Sequence, residues 1–123
     1  MKLEIKEAEL ESVEIAKKAI DAASDKQAVD IVLLDMRNLA SFVDYFVVCS
    51  GESKRQIKAI ADEVEQALDK QGVALRHQEG NTESGWILMD FGDVIIHIFT
   101  TPEREYYQLE RLWSQATPLV RIQ

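Results

Sequence analysis

Cysteine is almost absent. A single thiol, Cys49, is the whole supply in 123 residues, which excludes an intramolecular disulfide and a multi-cysteine zinc site. It falls in the apolar run YFVVCS, where an unpaired cysteine behaves as a small hydrophobe. Proline (2) and glycine (5) are also scarce, so long disordered linkers are not expected. No run approaches the roughly 18 apolar residues of a membrane span. The Glu-rich start, MKLEIKEAELESVEIAKK, lacks the apolar core of a signal peptide. These absences predict a soluble, cytoplasmic chain with no membrane association.

Basic charge is in short supply too. Fourteen Lys and Arg stand against 22 Asp and Glu, a net charge of −8. A phosphate backbone repels such a chain unless it carries a focused basic patch. The tightest basic groups, Lys17-Lys18 and Lys54-Arg55, lie close to acids. Direct, sequence-specific nucleic-acid binding is therefore not expected. A basic protein partner is, and ribosomal proteins are of that kind. The length predicts one domain over 1–123, which buries roughly two-thirds of its unfolded surface and needs no staples.

What is present is a run of clear elements. Leu10, Val13, Ala16, Ile20 and Ala23 recur at helical steps and predict a helix ending near Ala23-Ser24-Asp25. Asp30 to Met36 holds four consecutive aliphatic residues, the mark of a strand covered on both faces. Asp44 to Ser50 is a second strand of aromatic and β-branched type. Ser53 and Gln56 then form a capping box. Ile57, Ile60, Ala61, Val64 and Leu68 make one stripe of the helix it starts, and Gly72 stands where a C-terminal cap belongs. Val73 to Gln78 alternates like an edge strand, and the polar EGNTESG reads as a loop. WILMD and VIIHIF form a hairpin turning at Phe91-Gly92. Thr101-Pro102-Glu103 opens a last helix, whose apolar face is Tyr106, Leu109, Leu112 and Trp113; Pro118 ends regular structure.

The order α-β-β-α-β-β-β-α predicts an α/β (α+β-like) fold, a five-stranded mixed sheet with three helices. Both hairpin strands are apolar at odd and even positions alike. Three helices cover one face and leave part of the other bare, and a bare apolar patch marks a binding surface.

Several groupings suggest chemistry. Asp90 and Asp93 with His97 could hold a hard cation. However, the acids flank a turn and His97 lies four residues on, about 13 Å away at strand rise. Asp brackets turns for its own reasons. Asp-Phe-Gly matches the magnesium motif of protein kinases, but the chain is too short and the companion motifs are missing. Ser50-Gly51-Glu52-Ser53 before a helix resembles the phosphate-holding step of nucleotidyltransferase folds. Such enzymes need an acid pair on the following strand, and Val73 to Gln78 has none; Glu79 lies beyond it alone. The alternative function is thus a nucleotide-binding or nucleotidyltransferase-like enzyme using Gly51 and Ser53, and the simpler reading is a helix cap. By strand parity His77 shares a face with Val73 and Leu75, and His97 faces the same way as Ile95 and Phe99. A lone strand histidine is ordinarily structural. Trp86, at a strand start beside a polar loop, is either edge-of-core or a partner anchor. Trp113 reads as core.

Three stretches in order, DYFVVCSGESKRQIKAIADEV, GWILMDFGDVIIHIF and YYQLERLW, resemble the ribosomal silencing factor family, also called Iojap-like. The likeness runs from about residue 10 to 113. It implies a nucleotidyltransferase-related α/β scaffold without catalytic acids, no enzyme activity and no cofactor. It further implies a translational repressor that binds ribosomal protein L fourteen on the large ribosomal subunit, sterically blocks joining of the small subunit and lowers translation when nutrients are short. Homodimers are implied as well. In the family the partner surface centres on the Trp-containing strand and the following hairpin. Trp86 is then the aromatic anchor with Leu88 beside it, and Asp90 and Asp93 meet basic groups of the ribosomal protein. The tail TPLVRIQ lies past the matched stretch.

Overall fold

The computed structural model describes residues 11–107 and 115–123. Its elements are α1 (Ser12–Asp25), β1 (Val29–Asp35), β2 (Tyr45–Gly51), α2 (Lys54–Asp69), β3 (His77–Asn81), β4 (Trp86–Asp90), β5 (Val94–Thr100), α3 (Thr101–Tyr107) and β6 (Thr117–Ile122). The predicted α/β class holds. The sheet has six strands where five were expected, in the order β3-β4-β5-β2-β1-β6. Among the described residues only the β2–β5 pair is parallel. Leu109, Leu112 and Trp113 lie outside the described residues, as does Leu10.

The sixth strand comes from the tail. Pro118, expected to end regular structure, instead sits inside β6, antiparallel to β1. The register slips there: Leu33 pairs with Val120 and Leu34 with Pro118, so Leu119 is skipped. Proline has no N–H for a ladder and is tolerated on outer strands and at bulges. Arg121 fastens the strand, its guanidinium donating to both carboxylate oxygens of Asp30 at 2.9 and 3.1 Å.

The third strand is shifted as well. It covers His77–Asn81 rather than Val73 to Gln78, so part of the expected polar loop is a hairpin. Asn81 Oδ1 accepts from the Ser84 amide at 2.9 Å, and the Gly85 amide donates to the Thr82 carbonyl at 3.2 Å. Side chains that satisfy a turn locally let polar residues pair. Val73 and Leu75 pack against the core instead. His77 does not share their setting; it is exposed and pairs with Asp90.

The continuous apolar runs work as expected. On β1 and β2, Ile31, Leu33, Val47 and Cys49 face α1 and α2, while Val32, Leu34 and Val48 face the other way into a second cluster with Met36, Val43 and Phe99. Cys49 is fully buried, and burial pushes its thiol up to about 12. It packs as an inert hydrophobe. The helix stripe Ile57, Ile60, Ala61, Val64 and Leu68 is buried as a set. Gly72 closes α2 with a positive φ of 81°, letting the Val73 amide reach back to the Leu68 carbonyl at 2.9 Å.

Candidate docking face

On β4 the pleat sends Ile87 and Met89 into the helix-side core and leaves Trp86, Leu88 and Asp90 on the opposite face, each half-buried. Cross-strand neighbours share that face: Phe99, His97 and Ile95 on β5; Asn81, Glu79 and His77 on β3. The hairpin register decides who meets whom. Phe91 N–H donates to Val94 O at 3.0 Å, so the two central turn residues are Gly92 and Asp93, one step later than expected. Gly92 has φ 99°, the positive value such turns need at their first central residue. That single step sets Trp86 opposite Phe99 and diagonal to His97.

The result is an aromatic assembly. The Trp86 ring stacks on Phe99 at 5.1 Å and 20°, and lies 4.6 Å from Tyr107. Trp86 Nε1–H donates to His97 Nδ1 at 3.3 Å. Phe46 meets the His97 ring edge-on at 4.6 Å. His97 is 6% exposed, and burial lowers its pKa to about 4. Trp86 and Leu88, with Glu79, Gly80 and Ser84, line a shallow pocket of about 210 Å³. Tyr106, expected on the buried face of the last helix, is instead 77% exposed and packs edge-on against Tyr107.

The predicted site residues are only partly assembled. Trp86 and Leu88 sit side by side in one pocket. Asp90 is half-buried, and its Oδ1 accepts from the Gly92 amide at 2.8 Å, so it holds the turn. Asp93 is exposed in the turn itself, and its carbonyl takes the amides of Asp44 and Tyr45 at 2.7 and 3.2 Å. The pairing brings Asp90 diagonal to His97 across the strands, nearer than chain separation alone suggested. Even so, the Asp90 carboxylate turns to Gly92 and the His97 acceptor turns to Trp86. Among the described residues no three His, Cys, Asp or Glu side chains gather closely enough to hold a metal ion.

The α2 start is filled by protein groups. Ser53 Oγ accepts from Gln56 N–H at 3.1 Å, and Gln56 Oε1 accepts from Glu52 N–H at 2.6 Å. Gln56 Nε2 donates to the carbonyls of Lys26 and Gln27 at 3.1 and 2.9 Å. A Cβ on Gly51 would approach Ile57 Cγ2 to 2.9 Å. The cap is built as the sequence indicated, though Gln56 reaches Glu52 rather than Ser53. It also ties α2 to the α1–β1 turn. These bonds take the Glu52 and Gln56 amides, and Ile57 crowds Gly51, so the start is built as a helix cap.

Sequence reasoning missed two members of this face, His97 as the indole's partner and Tyr107 as its cover. The first was within reach of the sequence, because the expected Phe91-Gly92 turn already sets Trp86 opposite His97 and the observed turn moves the pair to the diagonal. The second could be read from Thr101-Pro102, which starts a helix directly after Phe99 and so lays its first turns near that residue.

Comparison with known proteins gives a consistent result. A family model described as "Ribosomal silencing factor during starvation" matches residues 9–123. A Bacillus subtilis protein named ribosomal silencing factor RsfS is 44% identical over 102 residues, covering 83% of this chain and 86% of its own. A crystal structure of a Chromobacterium violaceum protein superposes with a TM-score of 0.82 at 39% identity, covering 85% of this chain and 88% of that one. A mouse relative named "Mitochondrial assembly of ribosomal large subunit protein 1" is 30% identical over 92 residues, covering 72% of this chain and 40% of its own length.

Proposed function

The chain belongs to the ribosomal silencing factor (Iojap-like) family, and on that premise we propose that it is a translational repressor that binds ribosomal protein L fourteen on the large ribosomal subunit and sterically blocks joining of the small subunit, lowering translation under nutrient limitation. A ribosome-associated silencing role follows from membership of the family, and the mouse relative's name supports association with the large subunit. The observation that carries the docking mode is Trp86, a half-buried indole on an incompletely covered sheet face with Leu88 beside it. Trp is enriched among interface anchors because it offers a large apolar area and one polar handle. The net charge of −8 suits a basic ribosomal protein, with Asp93 exposed at the hairpin tip to meet a cation. Asp90 contributes by holding that tip.

The mechanism is occupancy, so no bond is made or broken. A protein seated where the small subunit docks lowers the population of joined ribosomes by mass action. The site of action is the cytoplasm. Pairing of two copies, which the resemblance implies, belongs to the same proposal and is read from sedimentation of the free protein.

The test is cosedimentation with separated ribosomal subunits, using wild type and Trp86→Ala. Wild type is expected with the large subunit alone, and Trp86→Ala is expected to lose at least about tenfold in affinity, as hot-spot aromatics do. Equal capture of both proteins would remove Trp86 from the interface. Failure of wild type to sediment with the large subunit would overturn the reading itself.

A further inference from the structure

We propose that His97 is the positioning residue for Trp86: its buried ring sets which way the indole lies on the docking face. The proposal rests on the reading of Trp86 as the partner anchor and adds what holds that anchor in place.

Stacking alone leaves the indole underdetermined. A ring lying on Phe99 and Tyr107 keeps most of its contact area when it is turned over, because dispersion is not directional. The hydrogen bond is directional. Trp86 Nε1–H donates to His97 Nδ1 at 3.3 Å, and only one face-on orientation of the indole brings Nε1 there. The same bond fixes the histidine: Nδ1 is the acceptor, so the neutral ring carries its proton on Nε2.

A core position would not choose histidine for packing. His97 is 6% exposed, and its Nε2 has no hydrogen-bond partner among the described residues. A buried donor without an acceptor is a standing cost. Its nearest face-mates on β2 and β5, Phe46, Val48, Ile95 and Phe99, are apolar, and the diagonal Asp90 turns its carboxylate to Gly92, so an aliphatic or phenyl side chain there would avoid that cost. What histidine supplies and those side chains lack is the acceptor for the indole. Around it the ring is clamped, by Phe46 edge-on at 4.6 Å and by Phe99 nearly parallel at 8° and 6.3 Å. The acceptor is therefore held still while the indole remains half open to a partner.

The experiment uses the full chain labelled with nitrogen-15 at tryptophan, as wild type, His97→Asn, His97→Phe, Trp86→Phe and Trp86→Ala. Trp86→Phe assigns the indole signal. Two quantities are read: solvent exchange of the Trp86 indole proton, and affinity for isolated large ribosomal subunits. Thermal melting confirms that each variant is folded. A phenyl ring fills the site and buries no polar atom, so a purely structural role makes His97→Phe the better binder of the two histidine variants. Positioning makes it the worse one. The expected result is faster indole exchange and about tenfold weaker binding for His97→Phe, equal to about 1.4 kcal/mol. Substantial recovery of both is expected for His97→Asn, whose amide oxygen can stand near the Nδ1 position. Unchanged indole exchange in His97→Phe overturns the proposal. So does unchanged binding of His97→Phe while Trp86→Ala fails to bind, a result that leaves the docking reading standing. Unchanged binding of Trp86→Ala overturns the docking reading together with this proposal.

Discussion

Gly80 shows how close the backbone comes to itself beneath the tryptophan. A Cβ added there would lie 2.0 Å from the Trp86 carbonyl oxygen, at a φ of +76° that side chains rarely adopt. Gly80→Ala must therefore shift the β3–β4 pair or strain the residue, at an expected cost of about 2–4 kcal/mol. Urea denaturation checks this, and a loss below about 1 kcal/mol would mean that β3 yields easily. His97 gives the pH dependence. Burial lowers its pKa from 6.5 to about 4, so between those values the unfolded chain holds a proton that the folded chain does not. Stability then rises with pH across that window. The contribution is complete above about pH 6.5 and is lost as pH falls toward 4, amounting to about 3 kcal/mol in all. The denaturation midpoint of wild type should fall on acidification through this range, and that of His97→Phe should fall less. Parallel curves would show that other groups govern the acid limb.

Among the elements, α2 is anchored by its first turn. Gln56 bonds to the Glu52 amide and to the carbonyls of Lys26 and Gln27, so one side chain holds a helix start and a neighbouring turn together. Gln56→Ala is expected to destabilise by about 1–2 kcal/mol, more than an isolated surface cap. Equal losses for Gln56→Ala and Ser53→Ala would mean that the cross-link to the α1–β1 turn adds nothing. This cap was legible in the sequence because its signal is local: Ser53 and Gln56 lie three residues apart. The apolar strands were legible for a similar reason, since an unbroken aliphatic run needs cover on both faces wherever it sits. β3 and β6 were not, because a polar or proline-containing segment becomes a strand only when a partner accepts it. Leu33 and Leu34 supply that acceptance to β6 from far along the chain, and the next strand, from Trp86 on, supplies it to β3. The Trp86–His97 bond was hidden for another reason: either turn puts the two rings on one face, directly opposite or diagonal, and only the side-chain geometry shows the indole N–H turned to Nδ1. A turn centred on Phe91-Gly92 and one centred on Gly92-Asp93 give different neighbours to every residue of the hairpin.

At the scale of the whole molecule, charge and topology decide how it meets a partner. With a net charge of −8, association with a basic surface is steered, and steering is felt most in the on-rate at low salt. Asp93→Lys, at the exposed tip, is expected to slow binding to large subunits several-fold at low ionic strength, with the difference fading at high salt. Asp90→Asn is expected to weaken the turn and leave the salt dependence unchanged. Equal salt slopes for wild type and Asp93→Lys, measured by association kinetics, would rule out a charge contact at the tip. The topology adds a consequence for folding. The two antiparallel ribbons, β3-β4-β5 and β6-β1-β2, are sewn along a single parallel seam between β2 and β5. The first ribbon is assembled from neighbours in the chain, with little loop-closure entropy to overcome, and it carries Trp86, His97 and Phe99 together. The seam joins distant segments and closes late. Native-state hydrogen exchange should therefore resolve two cooperative units, with Trp86, His97 and Phe99 all in one of them. Uniform protection across the seam would show instead that the sheet opens as a whole.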